Sequence, residues 1–306
     1  MATAASLGIK TPERVFPLPS PTHYPSSTLT KPEKYPGVFL LELHDRPDNR
    51  LREEFILSSI IPALDDVERE FRASQLGILQ PQTADSSGWK SPLSPGRFAL
   101  VTCGPLDKNR FYSNGLDLSE AFSSDHFAKH VFYRMCNKLL TFPIPTVAAI
   151  NGHAYAGGFI LALCHDYRLM KDNLTKGKAA MTMNEIEFGV EVSMPLVGIV
   201  EAKLPSRLVV KKCLTEAHRF TAKDSVELGV VDQIASESEL IEKSLDFAHE
   251  KSIRAMTGIY GLMKESIYRD TLLLINGPDS HLREIKTTHL NRLRQLGESH
   301  YGKPKL

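Results

Sequence analysis

The sequence predicts an α/β layered fold with a helical C-terminal region, and three observations predict it. Short buried-type apolar runs alternate with helix-patterned stretches over the first two thirds of the chain. Gly, Pro and Asn residues punctuate the joins between them. Beyond Ile234 the patterning turns helical, with room for two or three helices over 237–297.

The elements follow in order. Residues 1–36 hold seven of the 19 prolines with many Ser and Thr, which predicts an extended, partly disordered lead. Val38 to Leu43 (VFLLEL) reads as a buried strand, and Pro47 and Asn49 mark a turn. From Leu51 to Arg72 the residues Phe55, Ile56, Ile60, Ile61, Leu64 and Val67 recur at helical spacing. Residues 74–96, rich in Ser, Gly, Pro and Gln, read as a surface loop. Phe98 to Cys103 is a second strand, and 119–141 is helical up to Pro143 and Pro145. Thr146 to Ile150 is a third strand, followed by an Asn151-Gly152 turn and a helix opening near Gly157. A short strand is expected from Tyr167 to Met170, helices over 195–215 and 222–228, and a strand from Val230 to Ile234. The organisation is thus a lead of 1–36, a core of 37–250 and a helical region of 251–306.

Composition excludes several classes. The 306 residues suffice for one large domain or two small ones, and 42% hydrophobic with 24% charged residues is ordinary for a soluble globular protein. A formal net charge of +1, with no Lys/Arg stripe, argues against nucleic-acid binding through a basic face. The most apolar stretch, Val147 to Cys164, contains Asn151, His153 and three glycines, so no membrane span is expected. The N-terminus lacks the pattern of a secretory signal. Cys103, Cys136, Cys164 and Cys213 form no CxxC pair and read as buried free thiols. Cys164 and His165 are adjacent, but neighbours on one element point apart, which disfavours a catalytic pair. No His/Cys/Asp cluster has metal-ligand spacing, so no metal is expected.

Two glycine-containing turns carry the chemistry. They are Phe111-Tyr112-Ser113-Asn114-Gly115-Leu116-Asp117-Leu118 and Asn151-Gly152-His153-Ala154-Tyr155-Ala156-Gly157-Gly158. Each follows a buried strand and precedes a helix. Glycine permits close backbone approach, and a helix N-terminus offers free N–H groups to negative charge. Two such turns side by side could supply the converging donors of an oxyanion hole, although strand–glycine turn–helix joins are common and a purely structural join fits the spacing as well. Dinucleotide, P-loop and serine-hydrolase motifs are absent from the sequence.

Ser113-Asn114-Gly115-Leu116-Asp117-Leu118 resembles the F-S-x-G-x-D-[LI] element of the crotonase, or enoyl-CoA hydratase/isomerase, superfamily. Asn151-Gly152-His153-Ala154 with Gly157-Gly158 resembles its N-G-x-A-x-G-G-G element, and Arg219 to Ile234 resembles a third. Asn184-Glu185-Ile186-Glu187-Phe188-Gly189 is similar to the N-E-x-x-x-G stretch of Δ3,Δ2-enoyl-CoA isomerases, notably plant and fungal peroxisomal-type members. The resemblance implies a crotonase spiral of ββα units, an acyl-CoA substrate and assembly as a homotrimer or hexamer. It implies no cofactor, coenzyme A being part of the substrate. Leu116 and Gly157 would donate the oxyanion-hole N–H groups, and Ser113, Asn114, Gly115, Gly158 and Ile160 would line the substrate site.

Glu185 stands where the family places its catalytic glutamate. Glu187 and Glu191 lie close by, and either is an alternative base; Glu185 and Glu187 share a face if the segment is extended. Where hydratases carry a second glutamate this chain has Ile160. Water addition is easiest with two carboxylates, whereas moving a double bond needs one base, so Ile160 favours isomerisation over hydration. Met183 and Ile186 are apolar neighbours that would raise the pKa of Glu185. A non-catalytic acyl-CoA-binding relative of the fold is a further reading. The pathway is open between fatty-acid β-oxidation and synthesis of an unsaturated secondary metabolite.

Other residues read as structural. His153 sits in a glycine turn, Asp117 caps the following helix, and Asp166 resembles the family's strand-entry Asp. Arg46 and Arg50, near the first turn, read by default as exposed solvated charges, with contact to coenzyme A phosphates as the alternative. Pro304-Lys305-Leu306 resembles an S-K-L-type address, which implies a peroxisomal import receptor and a peroxisomal location.

Overall fold

The computed structural model describes residues 14–17, 25–76, 96–107, 110–121, 126–172 and 180–277. The 77–95 part of the expected surface loop and the Pro304-Lys305-Leu306 signal lie outside the described residues, as does most of the expected N-terminal lead.

The strands are β1 (Arg14–Phe16), β2 (Ser27–Thr30), β3 (Val38–Leu43), β4 (Ala99–Cys103), β5 (Phe111–Ser113), β6 (Thr146–Ile150), β7 (His153–Tyr155), β8 (Tyr167–Lys171), β9 (Met181–Thr182) and β10 (Gln233–Ala235). Seven form one sheet in the order β1-β2-β3-β4-β6-β8-β10, and three form a second in the order β5-β7-β9. From β3 to β10 the large sheet is parallel, and β1 and β2 extend its edge antiparallel. The chain gives β4, β6 and β8 to the large sheet and β5, β7 and β9 to the small one, in strict alternation. Each turn is thus two strands, and helices follow β5, β7 and β9, which is the ββα spiral that the sequence motifs imply.

The burial pattern explains why β4 and β6 read as continuous apolar runs. A parallel sheet is covered on both faces, so every residue of these strands is buried. Alternate residues then serve different cores. Val101, Cys103, Val147, Ala149 and Leu169 pack with Ile241, Leu245 and Ala248 of the Leu240–Lys251 helix. Leu100, Ala148, Ile150 and Met170 face the larger core of Phe55, Phe132 and Phe159.

Several expectations shift. The composition of the lead hides β1 and β2, whose Phe16 and Leu29 join the core. The helix expected over 195–215 is two, Met194–Lys203 and Arg207–Thr215, because Pro205 interrupts it and Ser206 caps the second by accepting from Val209 N–H at 3.3 Å. The strand expected at Val230–Ile234 starts later, at Gln233. Gly229, at φ 69°, closes the preceding helix, and Val230 and Val231 are buried in the turn instead. An apolar pair does not distinguish a buried turn from a strand.

The residues read as structural hold the fold together. Asp166 accepts from Thr146 N–H at 2.9 Å and pairs with the buried Lys264 ammonium at 2.8 Å, tying a C-terminal helix to the sheet. Asp117 accepts from Ser119 N–H at 3.0 Å. All four cysteines are buried and free. His165 is fully buried, its ring nitrogens taken by Thr102 Oγ1 and Leu161 O, both at 2.9 Å, so it forms no pair with Cys164. Among the described residues no helix is long and apolar enough to cross a membrane, and no acidic, His or Cys group is arranged to hold a metal.

Candidate active site

Where β5 and β7 end, the two glycine turns meet. Gly115 has φ 87°, a conformation open to glycine. A Cβ there would lie 2.8 Å from Tyr155 O and 3.3 Å from Gly157 N. A Cβ on Gly157 would lie 3.2 Å from Leu116 N. The two backbones therefore touch, and only glycine permits the approach.

The peptide planes set the direction of the two N–H groups. In a trans peptide the carbonyl and the next N–H point opposite ways. Gly115 O accepts from Leu51 N–H at 2.8 Å, so Leu116 N–H points away from Leu51. Ala156 O accepts from Phe159 N–H at 2.9 Å and Ile160 N–H at 3.1 Å, inside the Gly157–Leu163 helix. Gly157 N–H therefore points out of that helix's N-terminus. Ala156 holds this bend at φ 49°, strained for a residue with a side chain.

Leu116 and Gly157 both line a cavity of about 360 Å³. Its wall is largely apolar, with Phe127, Phe132 and Leu196 among its residues. Two backbone donors at the end of an apolar cavity can stabilise an anion that forms on a bound carbonyl.

Among the described residues two carboxylates reach this cavity, Glu185 and Glu191. Residues Glu185–Phe188 form a 3₁₀ turn closed by Gly189 at φ 67°, not an extended segment. With three residues per turn, positions 185 and 187 point to different sides. Glu185 lines the cavity while Glu187 is exposed and does not, so the shared face expected for an extended segment does not form. Burial pushes the Glu185 carboxyl up from the usual carboxylate range, partly offset by its own backbone N–H. Its Oε2 is closed off from solvent and has no hydrogen-bond partner among the described residues. Glu191 is exposed at the rim.

The other residues expected at the site separate into two groups. Asn114 lines the cavity. Ser113, Gly115, Gly158 and Ile160 do not. Ser113 is fully buried, with Oγ donating to Asn49 O at 2.7 Å. Gly158 packs on Ser113, since a Cβ there would meet Ser113 O at 2.3 Å. Ile160 is fully buried, one turn into a helix that meets the cavity at its first residue. Gly115 acts through its carbonyl and its φ. Arg50 is at the cavity wall, its Nε 3.3 Å from Asp48 Oδ2, whereas Arg46 is exposed beside Asp107. His153 is off the cavity wall, with Nδ1 2.9 Å from Tyr155 OH. Sequence reasoning passed over Phe127, Phe132, Tyr133 and Leu196 as wall residues. Their helical spacing is the same whether a stripe faces a core or a cavity.

A family model described as enoyl-CoA hydratase/isomerase matches residues 99–273. Enoyl-CoA delta isomerase 3 of Arabidopsis thaliana is 27% identical over 254 residues, covering 80% of this chain and 94% of that protein. Peroxisomal enoyl-CoA delta isomerase 1 of the same plant is 31% identical over 169 residues, covering 54% of this chain and 69% of that protein. The solved structure of human mitochondrial Δ3-Δ2-enoyl-CoA isomerase shares the fold, with a TM-score of 0.59 and 19% identity over 88% of this chain and 98% of that one. Family match, fold and cavity together define an acyl-CoA enzyme. The chain belongs to the enoyl-CoA hydratase/isomerase family.

Proposed function

We propose that the protein is a Δ3,Δ2-enoyl-CoA isomerase with Glu185 as its single base. One observation carries the reading: Glu185, with an unpartnered buried oxygen, shares an apolar cavity with the N–H groups of Leu116 and Gly157. The ionised Glu185 removes a proton from C2 of a 3-enoyl thioester. The resulting dienolate oxygen is held by Leu116 N–H and Gly157 N–H, and Glu185 returns the proton at C4. Proton and electron pair are both conserved, so the step calls for no cofactor beyond the coenzyme A of the substrate. The raised pKa supports the same role, because a base that must also give its proton back works best with a pKa nearer neutrality.

A second reading, enoyl-CoA hydratase, is favoured by Glu191, a further carboxylate on the same cavity. Purified protein given trans-3-hexenoyl-CoA should yield the conjugated 2-enoyl thioester. With crotonyl-CoA it should form little 3-hydroxy product. Fast hydration of crotonyl-CoA without migration of the double bond would replace the isomerase reading with the hydratase one.

A peroxisomal location is part of the proposal, supported by the peroxisomal Arabidopsis relative. A fluorescently tagged chain should follow a peroxisomal marker in cells. A purely cytosolic or mitochondrial signal would count against it. Assembly as a homotrimer or hexamer, and a place in β-oxidation or unsaturated-metabolite synthesis, remain proposals drawn from the family.

A further inference from the structure

Residues 48–51, which the sequence marks as a turn, run alongside the loop that presents Leu116. Asn114 N–H donates to Asp48 O at 3.0 Å, and Asn114 Nδ2 donates to Asp48 Oδ2 at 2.6 Å. Ser113 Oγ donates to Asn49 O at 2.7 Å, and Leu51 N–H donates to Gly115 O at 2.8 Å. Each of residues 113, 114 and 115 is therefore bonded to this segment. The last bond matters most. Gly115 O and Leu116 N–H belong to one peptide, so fixing the carbonyl fixes the N–H on the opposite side. Accepting a bond at the carbonyl also polarises the amide and strengthens its N–H as a donor.

Asn49 is what anchors the segment itself. It is 1% exposed, far from where a polar side chain of a turn normally sits. Its side-chain amide donates twice, to Leu43 O at 2.7 Å and to Tyr112 O at 3.1 Å. Leu43 ends β3 of the large sheet, and Tyr112 is in β5 of the small one. One amide thus ties the two sheets together beside the turn. Its backbone is left-handed, at φ 54°, which Asn tolerates better than most residues.

We propose that Asn49 is a positioning residue for the reaction: its side-chain amide clamps segment 48–51 between the two sheets, and that segment aims Leu116 N–H into the cavity. The inference rests on reading Leu116 as the donor to the thioester oxygen. Asn49 does not line the cavity, so its effect reaches the substrate through its neighbours, the 113–116 loop and Arg50 of the same segment.

The test uses Asn49→Gly, which keeps the left-handed backbone free of strain and removes the buried side chain with its two donors. Ser113→Ala, which removes the Oγ that donates to Asn49 O and accepts from Gly115 N–H at 3.3 Å, is the second variant. Each is tested as the full chain, with circular dichroism establishing folding. Two readouts follow. The first is the red shift of bound 4-dimethylaminocinnamoyl-CoA, a chromophore that responds to polarisation of its thioester carbonyl. The second is the split between kcat and KM on trans-3-hexenoyl-CoA. In folded variants the red shift should fall by more than about half and kcat by about a hundredfold, as misplacement of a donor by about 1 Å predicts, with KM within about threefold. If Asn49→Gly does not fold, Ser113→Ala alone decides. A native red shift and kcat in a folded variant would overturn the proposal. A native protein that shifts the chromophore but does not isomerise would remove the isomerase reading, and loss of that shift in the variants would still support the role of Asn49.

Discussion

Glu185→Gln is expected to lower kcat for isomerisation of a 3-enoyl-CoA by about a thousandfold, with KM changed little, because one carboxylate carries both proton transfers. Gln keeps the shape and removes the basicity, and no neighbour among the described residues is placed to take over. Glu187 is turned to solvent, and Glu191 is at the rim. Glu191→Gln should accordingly cost less than about tenfold. The rate of appearance of the conjugated thioester measures both variants. More than about a tenth of native activity in Glu185→Gln would remove Glu185 from the mechanism.

The same group predicts the pH profile. The base works ionised, and burial raises its pKa above the usual carboxylate value. The native kcat/KM should therefore rise with pH through this raised pKa and level off above it, its acid limb lying at higher pH than an exposed Glu would give. The limb should disappear in Glu185→Gln. Stability moves the opposite way. A raised pKa in the folded state means that the folded protein holds this proton more tightly than the unfolded chain does. Its contribution is fully present below the unfolded pKa and is lost as pH rises through the folded one. At neutral pH the buried anion is a cost, so Glu185→Gln should be no less stable than the native protein there, which separates lost chemistry from lost folding.

What was legible in the sequence depends on how much physics each feature carries locally. β3 and β6 were readable residue for residue, because a strand covered on both faces is a continuous apolar run. β5, β7 and β9 were not, at three, three and two residues, since a two-residue period needs more length to register. β5 and β7 were hidden inside the very turns that carried the motif. Within the site, Leu116 and Gly157 were reachable only through the likeness of their two turns to the family's motifs, because a strand–glycine turn–helix join is common and does not by itself specify an anion site. The choice between Glu185 and Glu187 was not, because it turns on a 3₁₀ rather than extended backbone. Ser113, Gly115, Gly158 and Ile160, expected to line the substrate site, lie beside the cavity and off its wall. A sequence shows that a glycine permits close approach, and not whether the thing approaching is substrate or the chain itself. Asn49 shows the same limit, since its importance lies in Leu43 and Tyr112, which its local sequence does not reveal.

That limit makes Gly157→Ala the sharper experiment of the glycine pair. The added Cβ would lie 2.8 Å from Cγ and Cδ2 of Leu116 and 3.2 Å from its N. Real Cβ contacts are not as short as 2.8 Å, so the Leu116 side chain must move, while the new methyl stays about as close as 3.2 Å to Leu116 N and crowds both donors. Loss of one such donor costs about a hundredfold to a thousandfold in kcat, and kcat for Gly157→Ala should fall by at least that much. Leu116 is a flexible side chain at an open cavity, so the fold should absorb the change with a modest loss of stability. The adjacent Gly158→Ala behaves differently. Its Cβ would lie 2.3 Å from Ser113 O, a backbone atom of β5 held by the small sheet. Neither side can give way cheaply, and overpacking against backbone costs about 1–3 kcal/mol or more. Kinetics and urea denaturation on the two variants should therefore separate, Gly157→Ala losing rate while largely stable and Gly158→Ala losing stability first. Near-native kcat in Gly157→Ala would mean that the Gly157 N–H is not where the charge develops, and would move the oxyanion away from this pair of turns.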